Sequence, residues 1–128
     1  MRRKTPRPTD AELEILQVLW SEGPCTVRQV VDRISTYRET GYTTILKLMQ
    51  IMVEKKLLVR DESRRSHIYA VKYEREQTQQ QLVMDLIARA FGGSANSLVM
   101  QALRAKKVSD DEIHQIRDLL DDLEEDRP

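Results

Sequence analysis

Three times along this chain a Ser or Thr stands three residues ahead of a Glu or Gln at the head of an apolar-periodic run: Thr9 with Glu12, Thr26 with Gln29, and Ser109 with Glu112. At that spacing the hydroxyl accepts from an orphan backbone N–H of the first turn, and the Glu or Gln reaches back to the amide of the capping residue. Each pair predicts a helix start, so the chain must be assembled from short helices beginning at these points. The first helix carries Leu13, Leu16, Val18, Leu19 and Trp20 on its apolar face and stops at Gly23-Pro24. The second turns Val27, Val30, Val31 and Ile34 inward. It is about two turns long, the size of the scaffold helix in a helix-turn-helix unit.

A polar connection from Ser35 to Gly41 leads into Tyr42–Lys56, a third helix. At about 100° per residue, Ile45, Leu48, Met49, Met52 and Val53 fall in one stripe and pack inward, with Leu46 at the edge. Thr43, Lys47, Gln50 and Glu54 form the opposite face. Hydroxyls come first, then Lys and Gln, and acid only at the end. That order suits a recognition helix whose N-terminal half enters the major groove, where Lys and Gln meet base edges and Leu46 meets a thymine methyl. A solvated amphipathic helix would show the same periodicity, so the decisive signal lies downstream. Leu57–Asp61 and His67–Val71 are β-prone runs flanking Glu62-Ser-Arg-Arg-Ser66, a hairpin with a basic tip. Three helices and then a hairpin carrying Arg64 and Arg65 is the layout of a winged helix, with the wing arginines placed to hold phosphates beside the groove.

Beyond Glu74 the pattern is wholly helical. A fourth helix with Leu82, Leu86, Ile87 and Ala90 ends near Phe91 at Gly92-Gly93. Ser94 caps a fifth containing Leu98, Val99, Ala102 and Leu103, and Ser109 opens a sixth with Ile113, Ile116, Leu120 and Leu123 as a narrow seam widened by Leu119. Three short helices with apolar stripes and no sizeable core of their own need a partner, and a second copy of the same segment is the simplest. The dimerisation residues are then Leu82, Leu86, Ile87, Leu98, Leu103, Ile113, Ile116, Leu120 and Leu123. Folding back on the first three helices in a monomer is the alternative. The expected fold class is therefore mostly α with a small β-hairpin wing: a winged helix-turn-helix domain at residues 1–73 and a helical dimerisation domain at 74–128.

The net charge of zero conceals a split. Residues 1–72 hold 14 Lys and Arg against 9 Asp and Glu, whereas 73–128 hold 7 against 12. The first half is suited to a polyanion and the second repels one. Arg2, Arg3, Lys4 and Arg7 crowd the start, where Pro6 and Pro8 forbid helix, so an arm that adds Arg7 to the DNA contacts is expected. No apolar run approaches the roughly 18 residues of a membrane span and no export signal opens the chain, which leaves the cytoplasm as the expected location. The single cysteine, Cys25, excludes an internal disulfide and reads as a structural thiol, since no partner base accompanies it. His67 and His114 show no ligand spacing, so neither metal nor cofactor is expected. A phosphate-cradling Gly-rich loop, paired carboxylates and a nucleophile–base set are all missing, which argues against an enzyme. The alternative to DNA binding is a winged helix used only to bind protein, and the basic first half argues against it.

Over nearly its whole length the sequence resembles the penicillinase-repressor group, the BlaI/MecI/CopY family. The markers are Thr9-Asp-Ala-Glu-Leu-Glu-Ile-Leu-Gln-Val-Leu-Trp20, Gly23-Pro24, Tyr42-Thr-Thr-Ile45, the hairpin ending in Tyr69, Phe91-Gly-Gly-Ser94 with Leu98-Val99, and Val108-Ser109 before Glu112-Ile113. The resemblance implies a homodimeric repressor on a palindromic operator of double-stranded DNA. It also implies that Tyr42, Thr43, Thr44, Lys47 and Gln50 face that operator. Antibiotic-responsive members are cut at an Asn-Phe bond by a sensor-linked protease; the matching pair here is Gln101-Ala102, the expected cleavage region. Copper-responsive members carry C-terminal Cys-x-Cys motifs, and this tail has none. Relief of repression by an upstream signal such as proteolysis is the remaining expectation.

Overall fold

The computed structural model describes residues 7–128; of the basic arm, Arg2, Arg3 and Lys4 lie outside the described residues. The elements run α1 (Asp10–Glu22), α2 (Val27–Ile34), α3 (Tyr42–Glu54), β1 (Leu58–Asp61), β2 (Ile68–Val71), α4 (Arg75–Ala90), α5 (Ala95–Ala105) and α6 (Asp110–Glu125). All three reciprocal caps form. Thr9 Oγ1 accepts from the Glu12 amide at 3.2 Å while the Thr9 amide donates to Glu12 Oε1 at 2.8 Å. Thr26 and Gln29 repeat the pattern at 3.1 and 2.8 Å, as do Ser109 and Glu112 at 3.1 and 3.2 Å. Gly23, at φ 84°, closes α1 by donating to the Leu19 carbonyl. That φ is open to glycine without the Cβ clash another residue would meet.

The chain divides into two compact units, Met1–Val83 and Met84–Pro128. The core of the first is built from α1, α2, α3 and the hairpin: Ile15, Leu16, Val18 and Leu19 meet Val27, Val30, Val31 and Ile34, then Ile45, Met49 and Met52, closed by Leu57, Leu58 and Tyr69. Leu13, Trp20, Leu46, Leu48 and Val53 pack at its margin. Ile15, absent from the expected apolar face, is fully buried, because the α1 stripe is wide enough to meet both α2 and α3.

The two strands pair antiparallel in the register Leu58↔Val71 to Asp61↔Ile68. A third backbone segment joins them. Cys25 and Tyr69 exchange both hydrogen bonds, at 3.0 and 2.8 Å, so the short link between α1 and α2 is stitched to the wing. The Cys25 thiol is buried, donates to the Gly23 carbonyl at 3.2 Å, and is pushed upward in pKa by burial and by Glu22. That environment keeps it protonated and unreactive.

In the second unit the helices form as expected, but no residue of α5 or α6 is buried. Leu119, Leu120 and Leu123 are 52–58% exposed. Leu103, Val108, Ile113 and Ile116 floor an open groove of about 580 Å³ rimmed by Arg104, Lys106, Lys107 and Arg117. Among the described residues no helix is long and apolar enough to cross a membrane.

Candidate nucleic-acid interface

The site is built on α3, and its aim is set from behind. Ile45, Met49 and Met52 are fully buried, which fixes the helix about its axis and turns Tyr42, Thr43, Thr44, Lys47 and Gln50 outward; all five are exposed. At the N-terminus Gly41 supplies no side-chain cap, so the first-turn amides are left for solvent or a ligand. At the C-terminus Leu57 N–H bonds the Met52 carbonyl and Lys56 N–H bonds that of Val53, with Lys56 left-handed at φ 65°. These bonds form a Schellman close that turns the chain straight into β1.

Two ion pairs tie α3 and its leading loop to α1. Lys55 Nζ lies 2.7 Å from Glu12 Oε1, the same buried carboxylate that completes the α1 cap. Burial pushes the Glu12 carboxyl upward, but the Lys55 ammonium and the Thr9 hydrogen bonds together outweigh it and hold the group below its ordinary range. In the connection before α3, Arg38 grips Glu14 through Nε and Nη2, and the Tyr37 hydroxyl donates to Glu14 Oε2 at 2.9 Å. The Arg38 bonds are the main reason the Glu14 carboxyl also sits low. Both partners of Glu14 lie more than twenty residues away, so neither pairing could be read from local sequence.

The wing projects Arg64 and Arg65, both exposed, from a turn stabilised by Asp61 accepting the Ser63 amide at 2.9 Å. Arg7 is exposed beside the α1 cap. Tyr42 and Arg65 line one cleft of about 180 Å³, together with Thr26, Arg28, Leu46, Ser66 and His67. The Arg28 guanidinium lies over the Tyr42 ring, 4.8 Å from its centroid. Thr26, Arg28, Ser66 and His67 are additions to the expected set. Arg28 was visible in sequence only as an exposed residue of the scaffold helix; its place beside the start of α3 depends on how two helices cross. Among the described residues no group of three or more His, Cys, Asp or Glu is arranged to hold a metal.

A sequence profile described as penicillinase repressor matches residues 8–122, nearly the whole chain. The chain belongs to the penicillinase repressor family. Within it, the transcriptional regulator BlaI of Mycobacterium tuberculosis is 32% identical over 123 residues, covering 94% of this chain and 88% of the relative. The penicillinase repressor of Staphylococcus aureus is 22% identical, covering 96% and 98%. Of solved structures, the DNA-binding domain of the repressor BlaI matches 58% of this chain and 90% of its own length, with a TM-score of 0.50 at 23% identity. The monomeric form of Bacillus licheniformis BlaI in complex with the blaP half-operator matches to the same TM-score and identity. These likenesses establish the winged-helix fold of the N-terminal part. The family is one of transcriptional repressors and not of enzymes. Gln101 and Ala102, the expected cleavage region, are exposed in the middle of α5.

Proposed function

We propose that this protein is a homodimeric transcriptional repressor that acts in the cytoplasm and occupies a palindromic operator, with residues 1–73 reading DNA and 74–128 pairing the two copies. The observation that carries this reading is the exposed Thr43, Thr44, Lys47 and Gln50 face of α3 beside a wing bearing Arg64 and Arg65, in a chain of the penicillinase repressor family. Lys47 and Gln50 meet base edges from the major groove, while the hydroxyls, Tyr42, the wing arginines and Arg7 hold the phosphate backbone. Because one winged helix spans only a half-site, two copies related by a two-fold axis read half-sites a whole number of helical turns apart. The two-fold contact comes from the apolar residues of α4, α5 and α6: Leu86, Leu103, Ile113, Leu120 and Leu123 are exposed, and Leu82, Ile87, Leu98 and Ile116 are half-buried. A single copy leaves this surface in water, and pairing removes it at about 25 cal/mol per Å².

Release from DNA follows an upstream signal such as a sensor-linked protease acting near Gln101-Ala102. Since that bond is helical, cleavage there requires α5 to open locally first. The test of the DNA reading is retention of genomic duplex fragments by the full-length protein at low salt, followed by sequencing of what is retained. Enrichment of a palindromic sequence is the expected result. Failure to retain any duplex would leave the alternative, a winged helix that binds only protein.

A further inference from the structure

The cleft between the start of α2, the start of α3 and the wing has Val27 and Leu46 as apolar lining, its other lining residues carry cationic, hydroxyl or ring N–H groups, and no carboxylate is among them. Two guanidinium-bearing residues enter from different elements, Arg28 from α2 and Arg65 from the wing, with His67 beside them. Arg28 is held in place by the Tyr42 ring, 4.8 Å below its guanidinium carbon. A stacked guanidinium keeps its in-plane N–H fork free while losing much of its rotamer freedom, so less entropy is lost when it grips an oxyanion. Thr26 Oγ1 already accepts the Gln29 amide at 3.1 Å, which leaves its O–H as a donor, and Ser66 adds another hydroxyl. At about 180 Å³ the cleft exceeds the roughly 30 Å³ share of one water several-fold, enough for a tetrahedral oxyanion with a few waters.

We infer that this cleft is a phosphodiester seat: it takes one backbone phosphate of the DNA, with Arg28 and Arg65 as its two cationic walls and Tyr42 as the platform that orients Arg28. The inference rests on the DNA-binding reading above and adds a contact from the scaffold helix. It also gives Tyr42 a positioning role apart from any direct contact with DNA. Because Tyr42 opens α3, a phosphate locked here fixes the register in which Lys47 and Gln50 meet the bases.

The experiment measures affinity of the full-length protein for a fluorescein-labelled random-sequence duplex against salt concentration, with Arg28→Ala, Arg28→Lys and, as a control, Arg33→Ala. Arg33 lies on the same helix but is paired with Glu22 at 3.4 Å, outside the cleft. One phosphate contact contributes a slope of about 0.9 in log K against log salt. Because Arg65 still faces the same phosphate, Arg28→Ala is expected to flatten the slope by up to about that much and to weaken binding by up to roughly eightfold at 0.1 M salt. Arg28→Lys should keep the slope and lose only part of the affinity, and Arg33→Ala should match the wild type. An unchanged slope in Arg28→Ala, with the wild type still binding duplex, overturns the seat and leaves the repressor reading intact. A wild type that binds no duplex overturns both. Titration with inorganic phosphate at constant ionic strength separates the sources: phosphate-specific protection lost in Arg28→Ala, alongside an unchanged DNA slope, would reassign the cleft to a free anion and overturn the inference.

Discussion

Glu12 is 2% exposed, and its one carboxylate closes the α1 cap while receiving Lys55 from the end of α3. Its pKa is lowered in the fold, so the sign is that of a depressed acid. Its stability contribution is fully present above the unfolded value of about 4.3 and is lost as pH falls through the lower folded value. Glu12→Gln keeps an acceptor but removes the charge. It also relieves the burial penalty, so the net loss at neutral pH should be about 1 kcal/mol, less than a hydrogen bond to a charge is worth in isolation. Urea unfolding at pH 7 and at successively lower pH checks this: the gap between wild type and variant should close in acid. A gap independent of pH would mean that the charge of Glu12 does not stabilise the fold. On the outer side of α3, Lys47→Ala and Gln50→Ala should each lower operator affinity by about 1–3 kcal/mol while leaving random-sequence binding nearly unchanged, as base contacts do. Equal losses on both duplexes would place these side chains on phosphates.

Helix ends and the hairpin behave as units whose chemistry is local. Lys56 occupies the left-handed position of the α3 Schellman close, where the flanking bonds of Leu57 and Lys56 satisfy two carbonyls at the helix end. A side chain there costs about 1 kcal/mol against glycine, so Lys56→Gly should raise the thermal midpoint by a few degrees without altering the far-ultraviolet spectrum. A lower midpoint would show that the greater freedom of glycine in the unfolded chain outweighs the relief. The wing is likewise testable as an element. Removing Arg64 and Arg65 together should weaken operator and random-sequence binding alike and flatten the salt dependence by up to about two phosphate contacts. A full salt slope in the double variant would remove the wing from the interface. These elements were legible because each signal spans few residues: the Ser/Thr-to-Glu/Gln spacing, Gly23-Pro24, and the β-prone runs around Glu62–Ser66 all appear where local chemistry requires them.

For the molecule as a whole, the exposed Leu119, Leu120 and Leu123 of α6 and the open groove lined by Ile113 and Ile116 of the same helix are the surface on which the proposed pairing depends. Leu120→Asp with Leu123→Asp should shift sedimentation from dimer to monomer at micromolar protein and cut operator affinity far more than half-site affinity. A variant that remains dimeric would place the interface elsewhere. The sequence by itself determined where the helices of both units begin, which face of α3 turns outward, and that a basic first half precedes an acidic second. Capping, periodicity and charge are properties of neighbours along the chain. Only the tertiary structure decided that Cys25 is stitched to Tyr69, that Glu12 receives Lys55, and that Arg28 stacks on Tyr42 within reach of the wing. Those partners lie 14 to 44 residues apart, and nothing in their local spacing favours one long-range pairing over another until the core packs and fixes which surfaces meet.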